Sequence, residues 1–90
     1  MRRELRYEGR ILKNLKRLDA DTQVRILAAL ERFTATGDGD IRPLRGEFAG
    51  SYRLRVGKWR VFVRLEGTNI IAYQIDNRGE AYRGREPDGP

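Results

Sequence analysis

The stretch "SYRLRVGKWRVFV", Ser51 to Val63, alternates apolar and cationic residues on either side of a Gly-Lys pair. A two-residue turn at Gly57-Lys58, with Gly57 in the first position of a type II′ turn, predicts a hairpin. Val56 then faces Trp59, Arg55 faces Arg60, Leu54 faces Val61 and Arg53 faces Phe62. One side carries Leu54, Val56, Trp59 and Val61. The other sets two guanidinium groups directly opposite each other, with a third one step away. Like charges facing across a strand pair destabilise it. A bound phosphate turns that repulsion into attraction through charge-assisted hydrogen bonds. Arg53, Arg55 and Arg60 are therefore a candidate anion site, against the plainer reading of three solvated surface residues.

A second group follows in "DNRGEAYR", Asp76 to Arg83, where Arg78 and Tyr82 are four apart around Gly79. A loop Arg for phosphate and a Tyr ring for base stacking suit RNA. The pair alone is a weak signal. Histidine and cysteine are both absent, so acid–base work falls to carboxylates, Lys, Tyr or Arg, and a thiolate metal site is excluded. "GDGD", Gly37 to Asp40, lacks the further ligands of a calcium loop, and neither a metal nor another cofactor is expected.

The composition points the same way. The chain has 90 residues, 36% of them charged, a formal net charge of +6 and a pI near 10.3. Only Lys13, Lys16 and Lys58 are lysines, so Arg supplies sixteen of the nineteen cations. Arg is suited to bidentate, weakly hydrated contacts with phosphate. Such a balance implies an anionic partner, nucleic acid or acidic protein. No apolar run approaches the roughly 20 residues of a membrane span, and "MRRELRYEGR" has no apolar segment of a signal peptide. A cytoplasmic protein with no membrane partner is expected.

The elements that position these residues are also legible. Ile11, Leu12, Leu15 and Leu18 follow helical spacing, with Lys13, Lys16 and Arg17 on the other side. "ELRY", Glu4 to Tyr7, is either a short edge strand or the lead into that helix. Asp19 is a credible N-cap for a second helix bearing Val24, Ile26, Leu27, Leu30 and Phe33, with Gly37 as its stop. Pro43 limits "IRPLRGEFAG" to a short or edge strand. After the hairpin, "EGTN" turns into "IIAYQI" through a loop of two or four residues. The expected fold is α+β: an N-terminal helical hairpin packed on one face of a small antiparallel sheet. Residues 1–83 form one domain, and 84–90 are expected to be a disordered tail.

"LKNLKRLDADTQVRILAALERF", "PLRGEFAGSYRLRVGKWRVFV" and "NRGEAY" together closely resemble the RelE/ParE superfamily of type II toxins. The resemblance runs from Tyr7 to Tyr82. Its most specific part is the block containing Leu44, Gly46, Tyr52, Arg53, Arg55, Val56, Gly57, Trp59 and Arg60, and the ending looks most like the RelE branch. The resemblance implies a toxin that cleaves mRNA in the ribosomal A site and is held inactive by an acidic antitoxin. It implies an active site of Arg53, Arg55, Arg60, Arg78 and Tyr82, acting by 2′-hydroxyl attack on the adjacent phosphorus. Lys58, Arg64 and Arg83 are read as accompanying RNA-binding cations.

Two departures stand out. Some relatives carry lysines at the positions of Arg53 and Arg55, and many carry His where this chain has Asn77. Arginine does not give up its proton, so neither Arg53 nor Arg55 is a general base. Tyr82, Glu80 and Glu47 remain as candidates for proton transfer. Two other readings compete: a ParE-like gyrase inhibitor without nuclease chemistry, and a noncatalytic RNA-binding module. The open hairpin face implies that Arg60→Ala and Arg78→Ala remove activity without lowering stability.

Tyr82 separates stacking from proton transfer. Base stacking is worth about 1–3 kcal/mol, roughly ten- to hundredfold in binding. Tyr82→Phe is therefore expected to keep substantial activity and Tyr82→Ala to lose much of it, in single-turnover cleavage on programmed ribosomes. Equal, severe loss in both variants would instead indicate a hydroxyl that transfers a proton.

Overall fold

The computed structural model describes residues 3–77. A strand, β1 (Glu4–Tyr7), comes first and is followed by the helices α1 (Ile11–Lys16) and α2 (Ala20–Thr36). Four further strands complete the order: β2 (Asp40–Pro43), β3 (Ser51–Val56), β4 (Trp59–Glu66) and β5 (Asn69–Asn77). The sheet runs β1-β5-β4-β3-β2. β2 to β5 form an antiparallel meander, while β1 pairs in parallel with β5.

The fold is thus α+β, with two corrections. The helical hairpin is not the N-terminal element, and the sheet is mixed rather than antiparallel. The reason lies in "IIA", Ile70 to Ala72, whose three side chains are all buried. A strand apolar on both faces belongs inside a sheet, so β5 needs an outer neighbour, and β1 supplies it.

α2 begins and ends where its capping residues predict, whereas α1 stops at Lys16, short of Leu18. Asp19 is the extended N-cap of α2, and its carboxylate accepts a hydrogen bond from the Thr22 hydroxyl. That bond holds the Asp19 carboxyl below its ordinary range. Gly37 closes α2 in the left-handed region at φ 81°, its N–H donating to the Phe33 carbonyl at 2.8 Å, a glycine C-cap. Ile26, Leu30 and Phe33 of α2 join Ile11 and Leu15 of α1 against Leu54, Val61, Val63, Ile70, Ala72 and Ile75 of the sheet. Burying each large aliphatic side chain of this layer stabilises the fold by about 1.5–3 kcal/mol.

Gly57 and Gly67 each adopt φ 62°, and no non-glycine among the described residues has positive φ. A positive φ at the first central position alone is the type II′ pattern. Glu66 pairs with Asn69, so the second loop has two residues. β5 then carries an irregularity: Phe62 pairs with Gln74 but Val63 with Ala72, leaving Tyr73 as an extra residue. This bulge shifts the alternation by one. Ile70, Ala72 and Ile75 all reach the helix side, while Gln74 and Asp76 fall on the opposite side with Phe62 and Arg60.

β1 is held by more than its ladder. The Arg64 guanidinium, on β4, donates to Glu8 beyond the end of β1 and to Glu66, each at 2.8 Å. It also lies 5.8 Å from the Tyr73 ring centroid, so one side chain spans β5 to reach the outer strand. The hydrogen bond from Arg64 lowers the Glu8 pKa. A depressed carboxyl contributes stability that is full above its unfolded value and is lost as pH falls through the native one. Glu8→Gln is accordingly expected to melt below wild type at neutral pH. The gap should begin to narrow below about pH 4.3 and close once Glu8 is protonated in the folded chain, as followed by thermal melts across pH.

Candidate functional site

The face of the sheet away from the helices collects the cations. The observed register pairs Arg55 with Arg60 and Arg53 with Phe62, as the alternation predicts. In a hairpin closed by a two-residue turn, Val56 and Trp59 form the hydrogen-bonded pair. Arg55 and Arg60 then form a non-hydrogen-bonded pair, whose Cα atoms lie about 4.5 Å apart. β2 adds a residue that the hairpin alone did not reveal. Arg42 pairs with Arg53, and Asp40 pairs with Arg55. Its signal was the alternation Asp40-Ile41-Arg42, in which Ile41 packs on the core and its neighbours must point the other way.

Four guanidinium groups from three adjacent strands therefore share this face, with two carboxylates among them. Asp40 Oδ2 lies 3.8 Å from Arg55 Nε, both partly exposed, a loose pair of small energetic value. Asp76 sits directly across β4–β5 from Arg60, and its Oδ2 accepts a 2.8 Å hydrogen bond from Gln74 Nε2. Positive charge remains in excess, as an anion site requires.

The face is not open throughout, which corrects the expectation for Arg60. Arg60 is only 7% exposed, Asp76 9% and Phe62 fully buried. Phe62 lies opposite Arg53 and 6.4 Å, centroid to centroid, from Tyr73. Neighbouring side chains thus exclude water from Arg60 and Phe62, so alternation located the residues but not their depth. Arg55, nearer the turn, is exposed.

The accompanying cations are placed differently. Lys58 projects from the hairpin tip with Nζ 5.8 Å from the Trp59 ring centroid. Arg64 is on the same face as Arg60, but four residues along a strand is about 13 Å. Its hydrogen bonds to Glu8 and Glu66 raise its pKa further and commit its charge within the chain. The structure does not bring it into the cluster. Glu47 lies in the short 3₁₀ turn Gly46–Phe48 between β2 and β3. Arg78, Glu80, Tyr82, Arg83 and the tail 84–90 fall outside the described residues.

Among the described residues, this face can bind and polarise a phosphate; its arginines cannot act as bases. The sequence profile of the ParE toxin of type II toxin–antitoxin systems matches residues 5–82. The chain belongs to this family, within the RelE/ParE superfamily of type II toxins. Toxin RelG of Mycobacterium tuberculosis is 35% identical over 69 residues, which cover 66% of this toxin and 76% of RelG. The fold is similar to that in the RelE–RelB complex of Pyrococcus horikoshii, with TM-score 0.74, 22% identity and coverage of 90% and 100% of the two chains. It is also similar to that in the RelB–RelE complex of Methanococcus jannaschii, with TM-score 0.72, 23% identity and coverage of 86% and 94%.

The depth of the toxin's arginines predicts unequal costs of removing them. Arg60→Ala leaves a void and strips the buried Asp76 of the cation opposite it, lowering unfolding free energy by about 1–3 kcal/mol. Arg55→Ala, at an exposed position relieved of a like charge, should stay within about 0.5 kcal/mol of wild type. Urea denaturation of both variants checks this; an Arg60→Ala toxin as stable as wild type would restore the exposed reading.

Proposed function

We propose that this toxin is an endoribonuclease of the RelE type that cleaves mRNA in the ribosomal A site. The observation that carries the reading is the register of β2, β3 and β4, which sets Arg42 beside Arg53 and Arg55 beside Arg60 on one face. Such a concentration of guanidinium groups suits a phosphate that gains charge during reaction. The ribose 2′-oxygen attacks the adjacent phosphorus, forming the O2′–P bond as the P–O5′ bond breaks. The 2′-hydroxyl gives up its proton, the departing 5′-oxygen takes one up, and the products are a 2′,3′-cyclic phosphate and a 5′-hydroxyl. The nucleophile belongs to the substrate, so the step requires no metal-activated water.

In this reading Arg53, Arg55, Arg60 and Arg78 stabilise the phosphorane, and Tyr82 stacks on a base. Lys58 and Arg83 contact the RNA backbone. The hydrogen bonds of Arg64 to Glu8 and Glu66 support a role in holding β1. Because the arginines do not exchange protons, their contribution is positioning and electrostatics. The proton acceptor then comes from Tyr82, a carboxylate such as Glu47 or Glu80, or the ribosome. The same positive face suits an acidic antitoxin whose extended segment carries apolar anchors, with association speeded by charge at low salt. The toxin acts in the cytoplasm, where its template is translated.

Gyrase inhibition is the second reading, favoured by the ParE description of the matching family. Such an activity has no need of cations gathered on the sheet. Induction of the toxin followed by primer extension on a translated transcript separates the two. New 5′ ends within codons, dependent on translation and lost in Arg53→Ala/Arg55→Ala, are expected. Intact mRNA together with double-strand breaks in DNA would establish the gyrase reading instead.

A further inference from the structure

We infer that Asp76, held by Gln74, is a positioning residue that sets the Arg60 guanidinium for the scissile phosphate. The inference rests on the nuclease reading above. Asp76 is a buried carboxylate on the cation face, directly opposite the buried Arg60. A carboxylate removed from water is costly unless it meets charge and hydrogen bonds. Gln74 Nε2 provides one such bond at 2.8 Å, and the arginine face provides the charge. Strict alternation from Ile70 would have sent Gln74 and Asp76 to the helix side; the extra residue Tyr73 delivers both to the arginines. A local irregularity of the ladder thus places an acid inside a cluster whose overall sign is positive.

An acid in an anion site has a definite electrostatic consequence. It opposes phosphate binding and at the same time restrains the cation beside it. Removing its charge while keeping its shape frees Arg60 from that restraint and leaves the site more attractive to an anion. Rate and affinity should therefore move in different directions. A role confined to folding would lower the fraction of active toxin and leave the half-saturating concentration unchanged.

The test uses the full-length toxin with Asp76→Asn, Gln74→Ala, Arg60→Lys and the Asp76→Asn/Arg60→Lys pair. Single-turnover cleavage is measured on programmed ribosomes over a range of ribosome concentrations, with active-site titration of each preparation. Asp76→Asn is expected to lower the maximal rate about 10- to 100-fold, the scale of a misplaced catalytic group, with a lower half-saturating concentration. Gln74→Ala should move both quantities in the same direction by less, and it serves if Asp76→Asn does not fold. The double variant should be no slower than Arg60→Lys. An undiminished rate, an unchanged or raised half-saturating concentration, or multiplicative losses in the double variant would overturn the inference. Should wild type cleave nothing, the nuclease reading fails, and the Arg60–Asp76 coupling is judged from thermal melts and inorganic phosphate binding. Tighter phosphate binding by Asp76→Asn, with its melting loss absent in the Arg60→Lys background, would uphold the placement. Equal melting losses in both backgrounds, or unchanged phosphate binding, would refute it.

Discussion

A strand offers each side chain one of two faces, and the whole molecule depends on how that choice is made along β3, β4 and β5. On β3 and β4 the choice is strict: Leu54, Val61 and Val63 join the core with the helices, and Arg53, Arg55 and Arg60 leave from the other side. Slipping the register by one residue would place guanidinium groups against Ile26 and Leu30, a loss far larger than the repulsion between Arg55 and Arg60. The packing of the helices therefore enforces the cation cluster. β5 obeys the same rule only by breaking its period once, at Tyr73, so that Ile75 still reaches the core while Asp76 does not.

The second constraint is charge within limited solvent. Four arginines cluster around the hairpin on the outer face, Arg60 and Asp76 are nearly sealed from water, and a basic chain has no excess of acid to place among them. The structure places Asp40 and Asp76 among the cations and assigns Glu8 and Glu66 to Arg64 at the far end of the sheet. These acids divide the face into a neutralised region that secures β1 and a positive region around the hairpin. Membership of the RelE/ParE superfamily accords with that division, and the proposed action on RNA calls for positive charge in one place.

Much of this was legible in the residues. The hairpin register, the caps at Asp19 and Gly37 and the confinement of Pro43 to a short edge strand follow from local rules that tertiary packing did not override. The position of β1 was only half legible, since four residues of "ELRY" carry little pattern; the stronger clue was Ile71, an apolar side chain on the outer face that demanded a neighbour. The depth of Arg60 was not legible at all. Alternation states which way a side chain leaves the sheet, and only the packed arrangement of its neighbours states whether water follows. Asp76 was hidden by the bulge, which no single residue type announces.

The bulge also makes this chain unequally tolerant of changes in length and changes in chemistry. Replacing the Tyr73 side chain would disturb a ring contact with Phe62 and Arg64. Losing the three bases that encode it would leave Val63 opposite Ala72 and Phe62 opposite Gln74 in an uninterrupted ladder, with every later pair kept. Ile75 would still reach the core opposite Val61, and Asp76 would still face Arg60. In this stretch the fold holds one residue in reserve, and a deletion that would turn over a regular strand is absorbed.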